Sequence, residues 1–528
     1  MTAYAGAGLL IRQALRRDRM LAPAWILLLG ALCYASAAAT PGLYDSAAER
    51  VRAAEAINGN PAVVALYGPI LDPRSLGEVA MTKMTVLYAV FVAVLAIVLV
   101  RRHTRVEEES GRLELVAGTA VGRDAPLASA LIEAVTVSVA VGAVATLADV
   151  AGGLPLVGSL AFGASWVGIG VVATAVAAVT CQLSASARTC AALAAAGVGV
   201  LYVIRAVGDT AAPWLSWLSP FGWNTQLRAW SAPRWWVLLL YVGLAVVLVG
   251  VAHALRVRRD LGSGVFAARP GPAVGAPGLA SALALSLKVH AAALATWTAA
   301  MLCLGLVFGA VAPSMDDLLD SSGAEQMITT LGGAGAVADA LVAAALWIVA
   351  LLVTCFALTV LSHAAADEGE GRTEEVLATA TSRSRWLLAI VAVGCGGALW
   401  LLLVAGGALW AGYAVAGADQ HAHTGRILIG ALAWAPAAWL VAGLAVLVFA
   451  LRRSWTVLGW ALPPVFLLLS LLDDLLALPT WATDISPYAD VPLMPTARFD
   501  PAPELVLIAL AVAVLAAAWW RFRGRDIG

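Results

Sequence analysis

Apolar residues run along this chain in long unbroken blocks, and polar residues gather in the short gaps between them. Blocks of about 18 residues or more, without the two-residue alternation of a barrel strand, predict membrane-spanning helices. About twelve such blocks are present. They lie near residues 20–40, 80–102, 127–149, 158–181, 191–209, 235–255, 289–312, 339–362, 386–416, 426–450, 456–477 and 504–520. A basic amphipathic stretch, Leu9–Arg19, comes first. It predicts a helix lying on the membrane surface rather than a cleavable leader. The longest gap, Thr40–Val79, holds a helical pattern from Asp45 to Ile57 that closes on Asn58-Gly59-Asn60-Pro61. Its later counterpart, Pro313–Val337, is shorter and acidic, with Asp316, Asp317 and Asp320.

Charge in the gaps orients the blocks. With the amino terminus in the cytoplasm, most of the 32 Lys and Arg residues fall on the inner side, including Arg16, Arg17, Arg101, Arg102, Arg256, Arg259, Arg452, Arg453, Arg521 and Arg525. The excess of inner basic residues places both ends in the cytoplasm. Lys83 and Lys288 are the only lysines, which together with heavy Ala and Gly usage suits a high-GC bacterial genome.

The gaps also repeat. Laid without a break over the segment that starts at Leu361, residues Arg101–Glu133 put His103 on His363, Glu108 on Glu368, Gly111 on Gly371, Arg112 on Arg372, Glu114 on Glu374 and Arg123 on Arg383. Both copies follow the second span of their half. Ser219-Pro220-Phe221 and Ser486-Pro487-Tyr488 echo each other on the outer side after the fifth. The expectation is an all-α polytopic membrane protein of two pseudo-symmetric six-helix halves, residues 1–260 and 281–528. A Gly/Pro/Ala-rich cytoplasmic linker, 261–280, joins them. An even number of spans per half makes the repeats parallel.

The repeated loop carries the candidate chemistry. The first copy has Glu107, Glu108, Gly111, Arg112 and Glu114; the second has Asp367, Glu368, Gly371, Arg372, Glu374 and Glu375. An acidic cluster is unusual on a face where basic residues dominate. A single loop of this kind reads as a solvated connector whose acids balance nearby arginines. Two copies at matching positions suit the docking of two copies of one soluble partner with a basic cleft.

The pattern E-E-x-x-G-R-x-E-x-V followed by A-T-x-x-S-R resembles the coupling-helix loop of type-2 ATP-binding-cassette (ABC) transporter permeases. The fused twelve-span arrangement resembles the actinobacterial exporters of polyketide antibiotics. Glu374–Arg383 is the closer copy, and the first departs at Gly118 and Gly122. The resemblance implies coupling helices that insert into two ATPase subunits, with ATP and Mg bound by that partner. It also implies a bacterial cytoplasmic-membrane location and a hydrophobic or amphiphilic cargo passing between the second and fifth spans of each half.

Composition narrows the classes further. The 528 residues are 62% hydrophobic and 12% charged. Soluble domains carry about 25% charged residues, so this chain lacks the polar surface to coat a soluble globule. A net charge of −1 gives no field for nucleic acid. There is no G-x-x-x-x-G-K-[ST] loop for phosphates, no H-E-x-x-H and no G-x-S-x-G. The chain is therefore not expected to be an enzyme by itself, nor to hold a cofactor or metal. Its six cysteines form no CxxC and read as small side chains in apolar runs.

Several charges fall within spans. Arg205 and Asp209 lie in the fifth, and Asp473 and Asp474 sit at nearly the matching depth of the eleventh. Opposite charges at such positions suggest an outer gate, Arg205 pairing with Asp473 or Asp474. The plainer reading has all four reaching into headgroups. Glu133, Asp149 and Asp339 lie near span ends and read as interfacial. His421 and His423 form an H-x-H that reads as two solvated histidines. Trp214, Trp217, Trp223, Trp230, Trp235 and Trp236 read as an aromatic belt. The resulting expectation is a drug-exporting permease powered by a separate ATPase. The alternative is an ion-coupled secondary transporter of twelve-span type, disfavoured by the acidic inner loops and few mid-span acids.

Overall fold

The structure is a computed structural model that describes residues 2–44, 46–59, 61–266, 274–279, 281–320, 336–415, 420–466, 485–497 and 499–527. Among these residues the regular elements are all helical. Eleven helices in this set are long and apolar enough to cross a membrane. The chain forms a polytopic membrane protein that divides into two compact units, Met1–Gly271 and Pro272–Gly528.

In the first unit, helix α1 (Ala7–Arg17) is the amphipathic stretch that opens the chain. It is followed by the spans α2 (Leu21–Leu43) and, after helix α3 (Ala47–Gly59), α4 (Leu76–Glu109). Beyond α4 come the short α5 (Arg112–Ala117) and the spans α6 (Ala125–Ala151), α7 (Leu156–Leu183), α8 (Ala187–Thr210) and α9 (Trp235–Val257). The second unit holds α10 (Ala282–Asp320), α11 (Ala336–Gly369), the short α12 (Arg372–Leu377) and α13 (Arg383–Val415). It continues with α14 (Gly425–Leu451) and α15 (Pro501–Arg523). The predicted span at 456–477 begins helically at Thr456–Gly459, and residues 467–484 lie outside the described set.

The repeat seen in the loops recurs in the packing. Within each unit the first span packs on the third, the second on the fourth, and the fourth on the sixth: α2 on α6, α4 on α7 and α7 on α9, then α10 on α13, α11 on α14 and α14 on α15. Lipid tails are as apolar as leucine, so packing of this kind depends on close approach of small residues. At the α6–α7 crossing, a Cβ on Gly142 would fall 2.5 Å from the Gly163 carbonyl oxygen, and one on Gly163 only 2.1 Å from Thr146 Oγ1. At α10–α13, a Cβ on Gly412 would fall 2.4 Å from the Leu306 oxygen. Leucines and valines such as Leu239, Val246, Val203 and Val512 stay exposed on the outward faces.

Span α4 is not regular. It contains a π turn, Met84–Tyr88, which displaces the usual backbone pairing. The Trp166 indole donates to the Met84 carbonyl at 3.1 Å, and the Asn224 amide to that of Thr85 at 2.7 Å. Asn224 belongs to a buried short helix, Pro220–Gln226, capped by Ser219. The S-P-F signal is thus the start of a helix inserted against α4 and α7, not a simple outer turn.

Two further expectations change. Trp223 and Trp230 are core residues rather than belt residues, and the Trp230 ring fills space left by Gly77 and Gly158. A Cβ on Gly77 would lie 2.2 Å from the Trp230 ring. Trp214, Trp235 and Trp236 are exposed, and Trp217 stacks on Trp236 at 5.6 Å. Glu133 and Asp149, expected at an interface, are fully buried.

Candidate coupling site

Each acidic loop folds as an elbow between the second and third spans of its unit. In the first unit α4 kinks at Thr104, whose hydroxyl donates to the Val100 carbonyl at 2.6 Å. The chain then turns at Gly111, with φ of 72°, into α5. In the second unit α11 ends at Gly369, and Gly371, with φ of 76°, turns the chain into α12. Both turns need the left-handed backbone that glycine adopts without strain. The two elbows are therefore built alike.

The acids in each elbow divide into two groups. One group is held internally. Both Glu108 oxygens accept from Arg259, at 2.7 and 2.8 Å, and Arg105 also pairs with Glu108. Arg259 in turn donates to Gln182 at 2.8 Å and to the Ser263 carbonyl at 2.9 Å. In the second unit Glu368 pairs with Arg525, which donates to the Phe449 carbonyl at 2.6 Å and lies over the Phe449 ring. Glu108, Arg259, Glu368 and Arg525 have side chains no more than 9% exposed. Each arginine lies just beyond the sixth span of its unit, so the elbow of each half is bolted to the end of that half. Glu107 is paired with Arg17 and, at 3.3 Å, with Arg112. Asp367 accepts from Arg372 at 2.9 Å, which together with Glu370 pushes the arginine further above its ordinary pKa.

The other group faces outward. On α5, Leu113 turns inward while Glu114 and Leu115 are exposed, Leu115 at 78%. On α12, Thr373 is buried while Glu374 and Glu375 are exposed, followed by exposed Ala378, Thr379 and Ala380. Cavities of about 480 and 250 Å³ lie behind the two elbows. The first is lined in part by Glu108, Arg123 and Arg259, the second by Asp367, Arg372 and His290.

The sequence pattern coincides with the elbow and does not separate its internally held acids from its exposed ones. Arg259 and Arg525 read in the sequence as members of basic runs, and only folding brings them onto the acids, whereas Arg105 meets Glu108 locally, three residues along the same helix. The departure of the first copy at Gly122 also has a cause. The amino-terminal segment crosses there, with Gly122 N–H donating to the Ala5 carbonyl at 2.9 Å. A Cβ on Gly122 would lie 2.3 Å from the Ala3 oxygen.

The gate residues have a different setting from the one expected. Arg205 is fully buried rather than reaching into headgroups. It donates to Asp209 and to the Val64 carbonyl, each at 3.3 Å, and to the Leu66 carbonyl at 3.4 Å. Its guanidinium also lies 4.4 Å from the Tyr202 ring centre. Asp209 accepts from the Ser216 hydroxyl at 2.6 Å. This network ties α8 to the end of the short helix Pro61–Tyr67, where carbonyls favour a cation. Asp473 and Asp474 lie outside the described residues, as do the side chains of His421 and His423.

Comparison with known proteins agrees with this architecture. The family model described as "Multidrug efflux system permease Rv1217c, C-terminal domain" matches residues 14–255 and 279–523, one stretch in each half. The multidrug efflux system permease protein Rv1217c of Mycobacterium tuberculosis (strain ATCC 25618 / H37Rv) is 36% identical over 528 residues, spanning 100% of this chain and 96% of that protein.

Proposed function

The chain belongs to the multidrug efflux system permease family, and on that premise we propose that it is the membrane-spanning permease of an ABC exporter. In this reading two copies of a separately encoded ATPase bind the two elbows and supply ATP and Mg. The cargo is a hydrophobic or amphiphilic drug-like compound, as in the exporters of polyketide antibiotics that the loops resemble. It passes between the second and fifth spans of each half. The chain lies in the bacterial cytoplasmic membrane with elbows and both termini on the cytoplasmic face. The rule that inner loops carry the basic residues supports that orientation.

One observation carries the proposal: two elbows, alike in backbone, each present exposed acids on a short helix whose base is locked by a buried Glu–Arg pair. A rigid base is what a transmitter of force requires, since a loose loop absorbs displacement instead of passing it on. Exposed carboxylates with a neighbouring leucine suit a partner cleft that is basic at its rim and apolar within. The absence of a phosphate-binding loop from the sequence means that a nucleotide-driven cycle needs a second polypeptide.

The test is affinity capture of the tagged chain from gently solubilised membranes of its native host. Co-purification of an ATPase with a phosphate-binding loop, lost on Glu114→Arg with Glu374→Arg, is the expected result. A wild-type chain that brings down no such ATPase, yet transports drugs against an ion gradient, would overturn the reading in favour of an ion-coupled transporter.

A further inference from the structure

Beneath the first elbow, outside the coupling surface and independent of any ATPase partner, three side chains from three helices converge. Asp18 follows the last residue of α1, His103 ends the straight part of α4, and Glu133 lies on α6. Their ligand-capable atoms all lie within 4.8 Å of one another. His103 Nε2 is 2.6 Å from Asp18 Oδ2 and 3.3 Å from Glu133 Oε2. The three side chains are 9%, 1% and 0% exposed for His103, Asp18 and Glu133.

Protein hydrogen bonding leaves this cluster incomplete. A ring nitrogen carries at most one hydrogen, and here two carboxylates face the same nitrogen. Asp18 is nearer, and neither Glu133 oxygen has a hydrogen-bond partner among the described residues. Arg102 reaches Asp18 Oδ1 at 2.9 Å, which accounts for one of the two negative charges. The remaining charge of the buried pair must be met by a proton or a cation, because an uncompensated buried carboxylate costs several kcal/mol. The donor set, one imidazole nitrogen and two carboxylate oxygens, is that of a borderline divalent metal ion rather than of Mg²⁺ or Ca²⁺. Such ions sit roughly 2.0–2.2 Å from N and O ligands, which separates neighbouring ligand atoms by about 3–4 Å. The observed spacing needs only small adjustment. A cavity of about 60 Å³, lined in part by Arg17, His103, Glu107 and Ser129, reaches the histidine.

We propose that Asp18, His103 and Glu133 form a binding site for a divalent transition-metal ion, with Zn²⁺ as the probe. The ion joins α1 to the bases of α4 and α6, directly behind the Arg17–Glu107 pair of the elbow. It stabilises the first elbow alone. In the second half Val393 stands where the repeat places Glu133, and the His363 ring instead lies 5.3 Å from that of His290.

The experiment uses the full chain on a histidine-free affinity tag, purified in detergent, with His421→Ala and His423→Ala removing the H-x-H pair. After chelation and dialysis, Zn²⁺ is returned at micromolar concentration. Bound metal is counted by mass spectrometry, and thermal melting is followed in parallel. The expected result is a stoichiometric ion and a raised melting temperature. Glu133→Gln, which keeps the shape, and His103→Gln should each weaken binding by at least about 100-fold. Excess Mg²⁺ should not substitute. Absence of stoichiometric Zn²⁺ from the parent chain would overturn the proposal without recourse to any ligand variant. So would equal binding by Glu133→Gln, or equal stabilisation by Mg²⁺. Absence of the ion would leave a shared proton to balance the cluster, and equal binding by Glu133→Gln would place the ion elsewhere.

Discussion

Glu108 and Glu114 are six residues apart in one acidic loop, and the structure predicts opposite consequences for removing them. Glu108 is 7% exposed and receives both Arg259 hydrogen bonds and a further pairing from Arg105, whose side chain is 1% exposed. Truncating Glu108 to alanine leaves two guanidinium groups buried beside each other with no carboxylate. Breaking one partner out of a buried ion pair costs about 3–5 kcal/mol. For a domain of this size 1 kcal/mol shifts the melting temperature by roughly 2–4 °C, so Glu108→Ala should lower the melting point of the first unit by on the order of 10 °C. Glu114 is exposed on α5, and changes at such positions usually stay within about 0.5 kcal/mol. Glu114→Arg should therefore melt like the parent, and combined with Glu374→Arg should lose the captured ATPase.

The assay is a thermal melt of the detergent-purified chain, run beside the capture experiment. Arg259→Met in the Glu108→Ala background should recover part of the loss, because it removes one of the stranded charges. A Glu108→Ala chain that melts with the parent would refute the division of the acids into structural and docking groups. So would a Glu114→Arg chain that is strongly destabilised.

Three other substitutions probe separate parts of the fold. Gly371→Ala places a Cβ on a backbone with φ of 76° but meets no atom within 4 Å, so its cost is backbone strain alone, about 1–2 kcal/mol. Gly371→Asn should cost less, and equal melting of all three would argue against a strained turn. Trp166→Phe keeps most of the ring but strands the Met84 carbonyl of the π turn, a loss of about 1–3 kcal/mol by thermal melting. Arg205→Met leaves Asp209 buried without its guanidinium and should destabilise the first unit by about 3–5 kcal/mol. Asp209→Asn added to it should restore part of that stability, which a melt of the double variant checks directly.

The span pattern, the repeat and the elbow glycines are properties of local sequence. Long apolar blocks have no stable alternative to helices in lipid, because every backbone amide must be satisfied within its own segment. That argument located eleven spans that the described residues contain, and the amphipathic helix at the chain's start. The acidic loops were legible for the same reason: charge is costly near lipid, so a repeated cluster stands out. Partnership between distant side chains was not legible. Arg259 and Arg525 look like any inner basic residue until the fourth span packs against both the second and the sixth, and only then do Glu108 and Glu368 become locked. The same holds for Arg205, which composition alone leaves free to reach outward and which the fold buries against Val64 and Leu66 carbonyls. Glu133 likewise lies near a span end, and only the docking of α1 by its neighbours encloses it with Asp18 and His103. Hydropathy is written residue by residue, whereas the setting of a buried charge depends on which helices meet, and that was decided in three dimensions.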